Sequence, residues 1–266
     1  MDDEIIRLAV FGMTGAGKTS FVTLATGSDF KIGHDGSSCT KNVQIAVKPL
    51  GDGRTVALYD TPGFDDSEHE DEQIFEDLAK WLATSEKVGK RLNGVIFMQP
   101  ITNARIADSE RQKLQLFKQI VGRQYYHQVV IVTTMWDTFN HTKGKMNEKN
   151  RTDSVWNDMI ACGAEVLQFK NTEESAASIV KHFTSNPGSF PPESLLLQQE
   201  LRMHKGRLRE TRAAKQLEGD IGKKVEDLRL QIRNLGGSEK LENMVQKMQG
   251  WLQRLRSAVV SRQIKA

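Results

Sequence analysis

The sequence predicts an α/β fold with a doubly wound, mostly parallel sheet and a C-terminal α-helical hairpin. Through residues 5–184, short apolar runs alternate with segments whose apolar residues recur every three or four positions. The first run, residues 5–11, leads directly into GMTGAGKT at residues 12–19, which matches G-x-x-x-x-G-K-[ST] at every fixed position. After residue 194 the periodicity is helical, which sets the last part of the chain apart.

The pattern predicts the elements in order along the chain. Predicted strands cover residues 5–11, 42–47, 55–59, 94–98, 129–134 and 164–169, and the second and third of these are expected to form a hairpin. Predicted helices cover residues 20–26, 68–82, 114–121, 156–160 and 173–183. Residues 138–151 carry no apolar stripe and are predicted to be a long, mobile polar loop.

The composition of the chain divides it into a domain at residues 1–184, a linker at 185–193 and a helical hairpin at 194–266. The linker, SNPGSFPPE, is rich in turn-forming residues. Residues 195–235 are predicted to be helical, and GGS at 236–238 separates them from a second striped helix. The apolar stripes of this hairpin must pack on the first domain, on each other or on a helical partner.

Charge and cysteine content limit the possible binding partners and cellular compartment. The hairpin is basic, but its basic residues alternate with acidic ones at helical spacing, so we expect no nucleic-acid binding. Two cysteines in 266 residues and an acidic N-terminus without a signal peptide predict a cytoplasmic protein. No apolar run suits a membrane span, which leaves only peripheral membrane association open.

The glycine-containing loop supplies groups that bind a nucleotide's phosphates. Its backbone N–H groups are expected to point at phosphate oxygens, while Lys18 neutralises the β- and γ-phosphates and the Thr19 hydroxyl binds Mg²⁺. The candidate phosphate-binding residues are Thr14, Gly15, Ala16, Gly17, Lys18, Thr19 and Ser20.

Two later segments complete the predicted metal and γ-phosphate site. Thr40 precedes the second strand and is expected to bind Mg²⁺ and the γ-phosphate, although a Thr before a strand is often without such a role. Asp60 follows an apolar strand and is expected to hold Mg²⁺, with the Gly63 N–H sensing the γ-phosphate. The predicted metal ligands are therefore Thr19, Thr40 and Asp60, and Lys18, Thr40 and Gly63 are predicted to serve catalysis.

A base-binding site is predicted at the ends of the last two strands. Thr134 and Asp137 follow the strand at 129–134, where the Asp137 carboxylate is placed to accept the two N–H donors on guanine's edge. Asn171 follows the last strand and is expected to touch the base. The alternative for that segment is that Thr172 simply caps the next helix.

The motifs GMTGAGKTS, SCTKN, DTPGFDD and TTMWD together make residues 5–184 resemble the septin, AIG1 (GIMAP) and Toc34 types of P-loop GTPase. DTPGF combined with the TGAGK loop is the most specific part. The resemblance implies a G domain that binds GTP and GDP with Mg²⁺, hydrolyses GTP slowly, and forms a homodimer through its nucleotide face.

The sequence departs from this pattern at residues that matter for catalysis. Met135 stands where the base motif usually has Lys, and Phe64 stands where Ras-like enzymes have a water-positioning Gln. Phe64 is alternatively a packing residue, and Thr14 crowds the γ-phosphate. Arg105 lies in a loop from which related GTPases reach the partner's nucleotide; the alternative is a surface Arg paired with Asp108.

These features predict a GTP-binding protein whose slow hydrolysis depends on dimerisation and which acts as a nucleotide-controlled assembly switch. Two other interpretations remain open at this point. Met135 favours an ATP-using P-loop enzyme, whereas Phe64 favours a nucleotide-bound scaffold that does not hydrolyse.

Overall fold

The computed structural model describes residues 5–28, 43–64, 71–185, 187–235 and 237–260. Within them lies a six-stranded sheet of order β2-β3-β1-β4-β5-β6. The strands are β1 (Ile5–Gly12), β2 (Gln44–Pro49), β3 (Thr55–Asp60), β4 (Gly94–Pro100), β5 (Val129–Thr134) and β6 (Glu165–Gln168). Only the β2–β3 pair is antiparallel, so the predicted hairpin and the mostly parallel sheet are both confirmed.

The described part of the chain contains nine α-helices. They are α1 (Lys18–Thr26), α2 (Asp71–Lys87), α3 (Asp108–Val121), α4 (His141–Thr152), α5 (Asn157–Ile160), α6 (Glu173–Thr184), α7 (Leu196–Met203), α8 (Arg212–Leu235) and α9 (Glu239–Ser257). None of the helices among the described residues is both long and apolar enough to cross a bilayer.

Two hydrophobic cores form on opposite faces of the sheet. One core joins the sheet to α1 and α6, with Phe21 and Phe169 in edge-to-face contact at 5.4 Å between ring centroids. The other joins the sheet to α2 and α3 and continues into α8 and α9 through buried residues that include Leu217 and Trp251. The C-terminal helices thus form an additional layer on the α2–α3 side of the domain.

The prediction of a polar loop over residues 138–151 is wrong, because α4 covers most of it. Asn140 caps the helix by accepting a hydrogen bond from the backbone N–H of Lys143 at 3.0 Å. The buried positions of α4 are Gly144, Asn147 and Arg151, which no hydrophobic pattern reveals. Tertiary polar contacts hold this helix in place of an apolar stripe.

The predicted continuous helix over residues 195–235 is also wrong, because it is broken between α7 and α8. Lys205 and Gly206 adopt positive φ angles of 53° and 77°, which end α7 in a left-handed turn. The buried hydroxyl of Thr211 then accepts a hydrogen bond from the Ala214 N–H at 3.2 Å, at the start of α8. The helical hairpin therefore consists of α8 and α9, and α7 packs separately against α2 and α3.

The segment predicted to be a linker packs against the first domain. The Glu193 N–H donates to the carbonyl of Leu92 at 2.9 Å, and the Asn93 side chain donates to the carbonyl of Phe190 at 3.0 Å. Phe190 is buried against Phe183 of α6. The predicted domain boundaries themselves stay a prediction.

Candidate nucleotide-binding site

The candidate site lies at the carboxyl edge of the sheet, where β1, β3, β4, β5 and β6 end. The loop after β1 turns into α1 through left-handed glycines, with φ angles of 76° at Gly15 and 88° at Gly17. A Cβ on Gly12 would lie 2.6 Å from the Met98 carbonyl oxygen, so the loop starts at a point of close backbone approach. This strand, loop and helix arrangement is the one that presents backbone N–H groups to an anion.

Lys18, the predicted phosphate-binding lysine of this loop, is buried, with 6% of its surface exposed. Its ammonium donates to the carbonyls of Gly12 at 3.1 Å and Met13 at 2.9 Å. A buried ammonium requires such acceptors, because an unsolvated charge is costly. The Lys18 ammonium is therefore fixed beside the loop that is predicted to bind the phosphates.

Thr19 and Asp60, two of the three predicted metal ligands, are in contact in the structure. The Thr19 hydroxyl donates to Oδ2 of Asp60 at 2.7 Å, and Asp60 is fully buried at the end of β3. A hydroxyl and a carboxylate are the hard oxygen donors that Mg²⁺ prefers, so this pair fits a magnesium ion. Thr40, the third predicted ligand, lies outside the described residues.

Thr14, Gly63 and Phe64 form a tight contact between two loops. The Thr14 N–H donates to the Phe64 carbonyl at 2.9 Å, and a Cβ on Gly63 would lie 2.6 Å from the Thr14 nitrogen. Only glycine therefore fits at position 63. The Phe64 side chain is 3% exposed and shares a hydrophobic core with Ile74 and Phe75 of α2, in agreement with its packing interpretation.

The predicted base-binding residues meet at the ends of β5 and β6. Asn171 donates from its side chain to Oδ2 of Asp137 at 2.9 Å, and both side chains are exposed. Asn171 has a positive φ of 57°, and the Thr172 hydroxyl accepts from the Ser175 N–H at 3.2 Å to cap α6. Thr172 therefore caps α6, and Asn171 lies beside Asp137, while the contact of Asn171 with a base stays a prediction.

The segment of residues 133–137, here called the base loop, contains a buried residue that sequence reasoning missed. Met135 adopts a positive φ of 68°, and Trp136 turns inward at 6% exposure. The Trp136 indole donates to the carbonyl of Thr133 at 3.2 Å and to its hydroxyl at 3.1 Å. The sequence does place a Trp next to the predicted base-binding Asp137, and that position could have indicated a buried residue supporting the base loop.

Arg105 lies in the loop of residues 101–107 after β4, here called the Arg105 loop, and its side chain is exposed. Within the described ranges, no ion pair joins Arg105 to Asp108, and no hydrogen bond joins it to the other candidate site residues. The surface ion pair considered for it is therefore absent there. A single chain leaves the Arg105 guanidinium facing solvent.

Comparison with known proteins gives the family directly. A model of the AIG1 family matches residues 6–183, about two thirds of the chain. The chain belongs to the AIG1 family. A curated relative, the mouse interferon-gamma-inducible GTPase 10, is 24% identical over 208 residues, which are 75% of this chain and 45% of that protein. The chain thus spans about half the length of that relative.

Solved structures of chloroplast Toc33 share the fold. Arabidopsis thaliana Toc33 in complex with Mg²⁺ and GMPPNP aligns with a TM-score of 0.56 at 15% identity, covering 69% of this chain and 86% of Toc33. Another structure concerns atToc33 and psToc159, for which dimerisation is described as important for GTPase activity. It aligns with a TM-score of 0.59 at 14% identity over 73% of this chain and 87% of its own. The predicted AIG1- and Toc34-like G-domain fold is confirmed.

Proposed function

We propose that this AIG1-family chain binds GTP and GDP and hydrolyses GTP slowly, at a rate that rises when two chains associate through their nucleotide faces. One observation carries the proposal: a single sheet edge places Lys18 and the Thr19–Asp60 pair at one end and the Asp137–Asn171 pair at the other. The first group suits a metal-bound polyphosphate and the second suits a guanine base.

Guanine is the base that the Asp137 carboxylate suits best. An ionised carboxylate only accepts hydrogen bonds, and guanine presents two adjacent N–H donors on one edge. The Asn171 amide holds one carboxylate oxygen at 2.9 Å and so orients the group. The mouse relative is named as a GTPase, which supports the same choice.

Magnesium is proposed as the accompanying ion. When bound, Mg²⁺ neutralises the negative charge of the phosphates. Thr19 and Asp60 would hold it, since the Thr19 hydroxyl oxygen is already 2.7 Å from Oδ2 of the buried Asp60. The Toc33 complex that contains Mg²⁺ and GMPPNP supports this pairing of ion and nucleotide.

Slow hydrolysis is proposed from the side chain that follows Gly63. Phe64 is packed into the core and carries no group that orients water. The exposed Arg105 is a cation that a second chain can receive across a two-fold interface. The importance of dimerisation reported for Toc33 and Toc159 supports an association-dependent rate.

The test is the GTPase rate measured as a function of protein concentration. Specific activity is expected to rise in the micromolar range, and Arg105→Ala is expected to remove most of that rise, because a trans-acting arginine contributes roughly 10³–10⁵ in rate. Arg111→Ala, at an exposed arginine of α3, is the matched control and should behave as wild type. A rate independent of concentration, with an unaffected Arg105→Ala variant, would refute the proposal.

A non-hydrolysing scaffold is the second candidate, and the burial of Phe64 favours it. Multiple-turnover phosphate release at high protein concentration decides between the two functions. Release of less than one phosphate per chain would favour the scaffold.

A further inference from the structure

Helix α4 contacts both the base loop and the Arg105 loop. Its buried positions, Gly144, Asn147 and Arg151, follow one another at helical spacing along one face. Because this face holds an amide and a guanidinium instead of apolar side chains, its contacts are directional. Directional contacts fix the relative positions of the elements that they join.

The Arg105 loop is held at its first residue, Ile101, from two sides. The Asn147 side chain donates to the Ile101 carbonyl at 2.7 Å, in a fully buried hydrogen bond. The Ile101 N–H donates to the carbonyl of Thr134 in the base loop at 3.2 Å. The start of the Arg105 loop is thus tied both to α4 and to the base loop.

The base loop is tied to the same helix. The Thr133 hydroxyl donates to the Glu148 carboxylate at 2.7 Å and accepts from the Trp136 indole at 3.1 Å. A Cβ on Gly144 would lie 3.0 Å from the Trp136 ring and 2.4 Å from Cδ1 of Ile101. Both loops therefore pack against α4 at the turn that contains Gly144, where a larger side chain would not fit.

We infer that Asn147 is a positioning residue that couples the base loop to the Arg105 loop. This inference rests on the proposed function, because it assigns Arg105 a role in a partner's site. A base held at Asp137 fixes the base loop, and with it the Thr134 carbonyl and α4. The Thr134 carbonyl and α4 in turn hold Ile101 in place. This restricts the positions from which Arg105 can reach the nucleotide of a partner chain. Base recognition in one chain thereby supports catalysis in the other.

The first test compares Asn147→Ala with Asn150→Ala, an exposed residue of the same type on the same helix. Asn147→Ala is expected to lower the association-stimulated rate by roughly ten- to a hundredfold, because a misplacement of about 1 Å of a catalytic group can cost about 10²-fold. GTP affinity is expected to stay within about twofold, since the substitution leaves the phosphate-binding and base-binding side chains in place. Asn150→Ala should match wild type in both measurements.

The same two substitutions, made in an Arg105→Ala protein, distinguish an effect on the position of Arg105 from a loss of stability of the whole fold. If Asn147 acts through Arg105, Asn147→Ala causes no further loss there. The same fractional loss in both backgrounds, or a wild-type rate for Asn147→Ala, would overturn the inference.

Hydrogen exchange of the dilute wild-type chain of 266 residues tests the coupling without any dependence on dimerisation or on the folding of a variant. GDP is expected to slow exchange in α4 and in residues 101–107, although these residues contact no phosphate in the proposed site. Unchanged exchange there on GDP binding would overturn the inference. An absence of concentration-dependent hydrolysis would instead count against the proposed function and the role of Arg105 in a partner's site, and would leave the coupling between the two loops standing.

Discussion

At the scale of single residues, we predict that Asp137 decides which base the protein accepts. We expect Asp137→Asn to weaken GTP binding by about 1.5–3 kcal/mol, the usual value of a hydrogen bond to a charged group. Xanthosine triphosphate should gain affinity, because its C2 carbonyl accepts the hydrogen bond that the new amide donates. Competition titrations with GTP, ATP and xanthosine triphosphate measure both changes.

Asp227→Asn, at an exposed position on α8, is the control for the loss of one negative charge. It should leave all three affinities unchanged. GTP affinity that stays at the wild-type value in Asp137→Asn would show that the base binds elsewhere. A gain in ATP affinity without one for xanthosine triphosphate would favour the ATP-using alternative that Met135 suggested.

Residues of the candidate phosphate-binding loop could be found from the sequence because they are contiguous. A short segment with fixed spacing carries the loop, Lys18 and Thr19 together, and their geometry agrees with that pattern. Asn147 and Glu148 could not be found in this way. Their partners, Ile101 and Thr133, are distant in the sequence, and asparagine and glutamate on a polar helix look like solvated residues.

At the scale of elements, α4 is joined to α3 by a buried ion pair. Nη2 of Arg151 donates to Oε1 of Glu110 at 3.3 Å, and both residues are buried. Burial raises the pKa of the Glu110 carboxyl and lowers the pKa of the Arg151 guanidinium, because desolvation disfavours both charged forms. The pair is therefore costly to assemble but more costly to break.

Glu110→Ala is expected to lower the free energy of unfolding by about 3–5 kcal/mol, since it leaves Arg151 buried without its carboxylate. The double replacement Glu110→Leu with Arg151→Met should come out near neutral, because it removes both desolvation costs. Urea denaturation of the three proteins measures the difference. Equal destabilisation in the single and double variants would mean that the ion pair itself supplies the stability.

The same helix shows where sequence-based prediction of elements stops. Helices α2 and α3 could be predicted, because their buried faces carry apolar residues at helical spacing. The buried face of α4 carries Gly144, Asn147 and Arg151, so hydrophobic periodicity could not predict this helix. The break after α7 was hidden for a different reason: apolar residues continue on both sides of the turn at Lys205 and Gly206.

At the scale of the whole molecule, the C-terminal helices share a core with the nucleotide-binding domain. Trp251 of α9 is 2% exposed and belongs to the cluster that reaches from the sheet through α2 and α3. This packing agrees with the prediction that the basic hairpin needs a surface to cover.

Trp251→Ala is expected to cost about 3–5 kcal/mol of the free energy of unfolding, as large-to-small changes of buried aromatic residues do. Leu230→Ala, on an α8 residue that is 52% exposed, is the control and should change it by less than about 0.5 kcal/mol. Thermal or chemical denaturation monitored at the sheet and at the helices should give one transition. A Trp251→Ala protein as stable as wild type would show that the hairpin contributes nothing to the common core.

The inward turn of Trp136 gives the molecule a built-in optical probe. Of its four tryptophans, Trp156 and Trp251 are buried in the large core and Trp81 packs on Tyr59, whereas Trp136 immediately precedes Asp137. Its indole emission depends on the hydrogen bonds to Thr133 and on the nearby His141 ring, 5.3 Å away between centroids. Nucleotide that engages the base loop should therefore shift the intrinsic fluorescence, and Trp136→Phe should abolish the shift while the other three indoles continue to report folding.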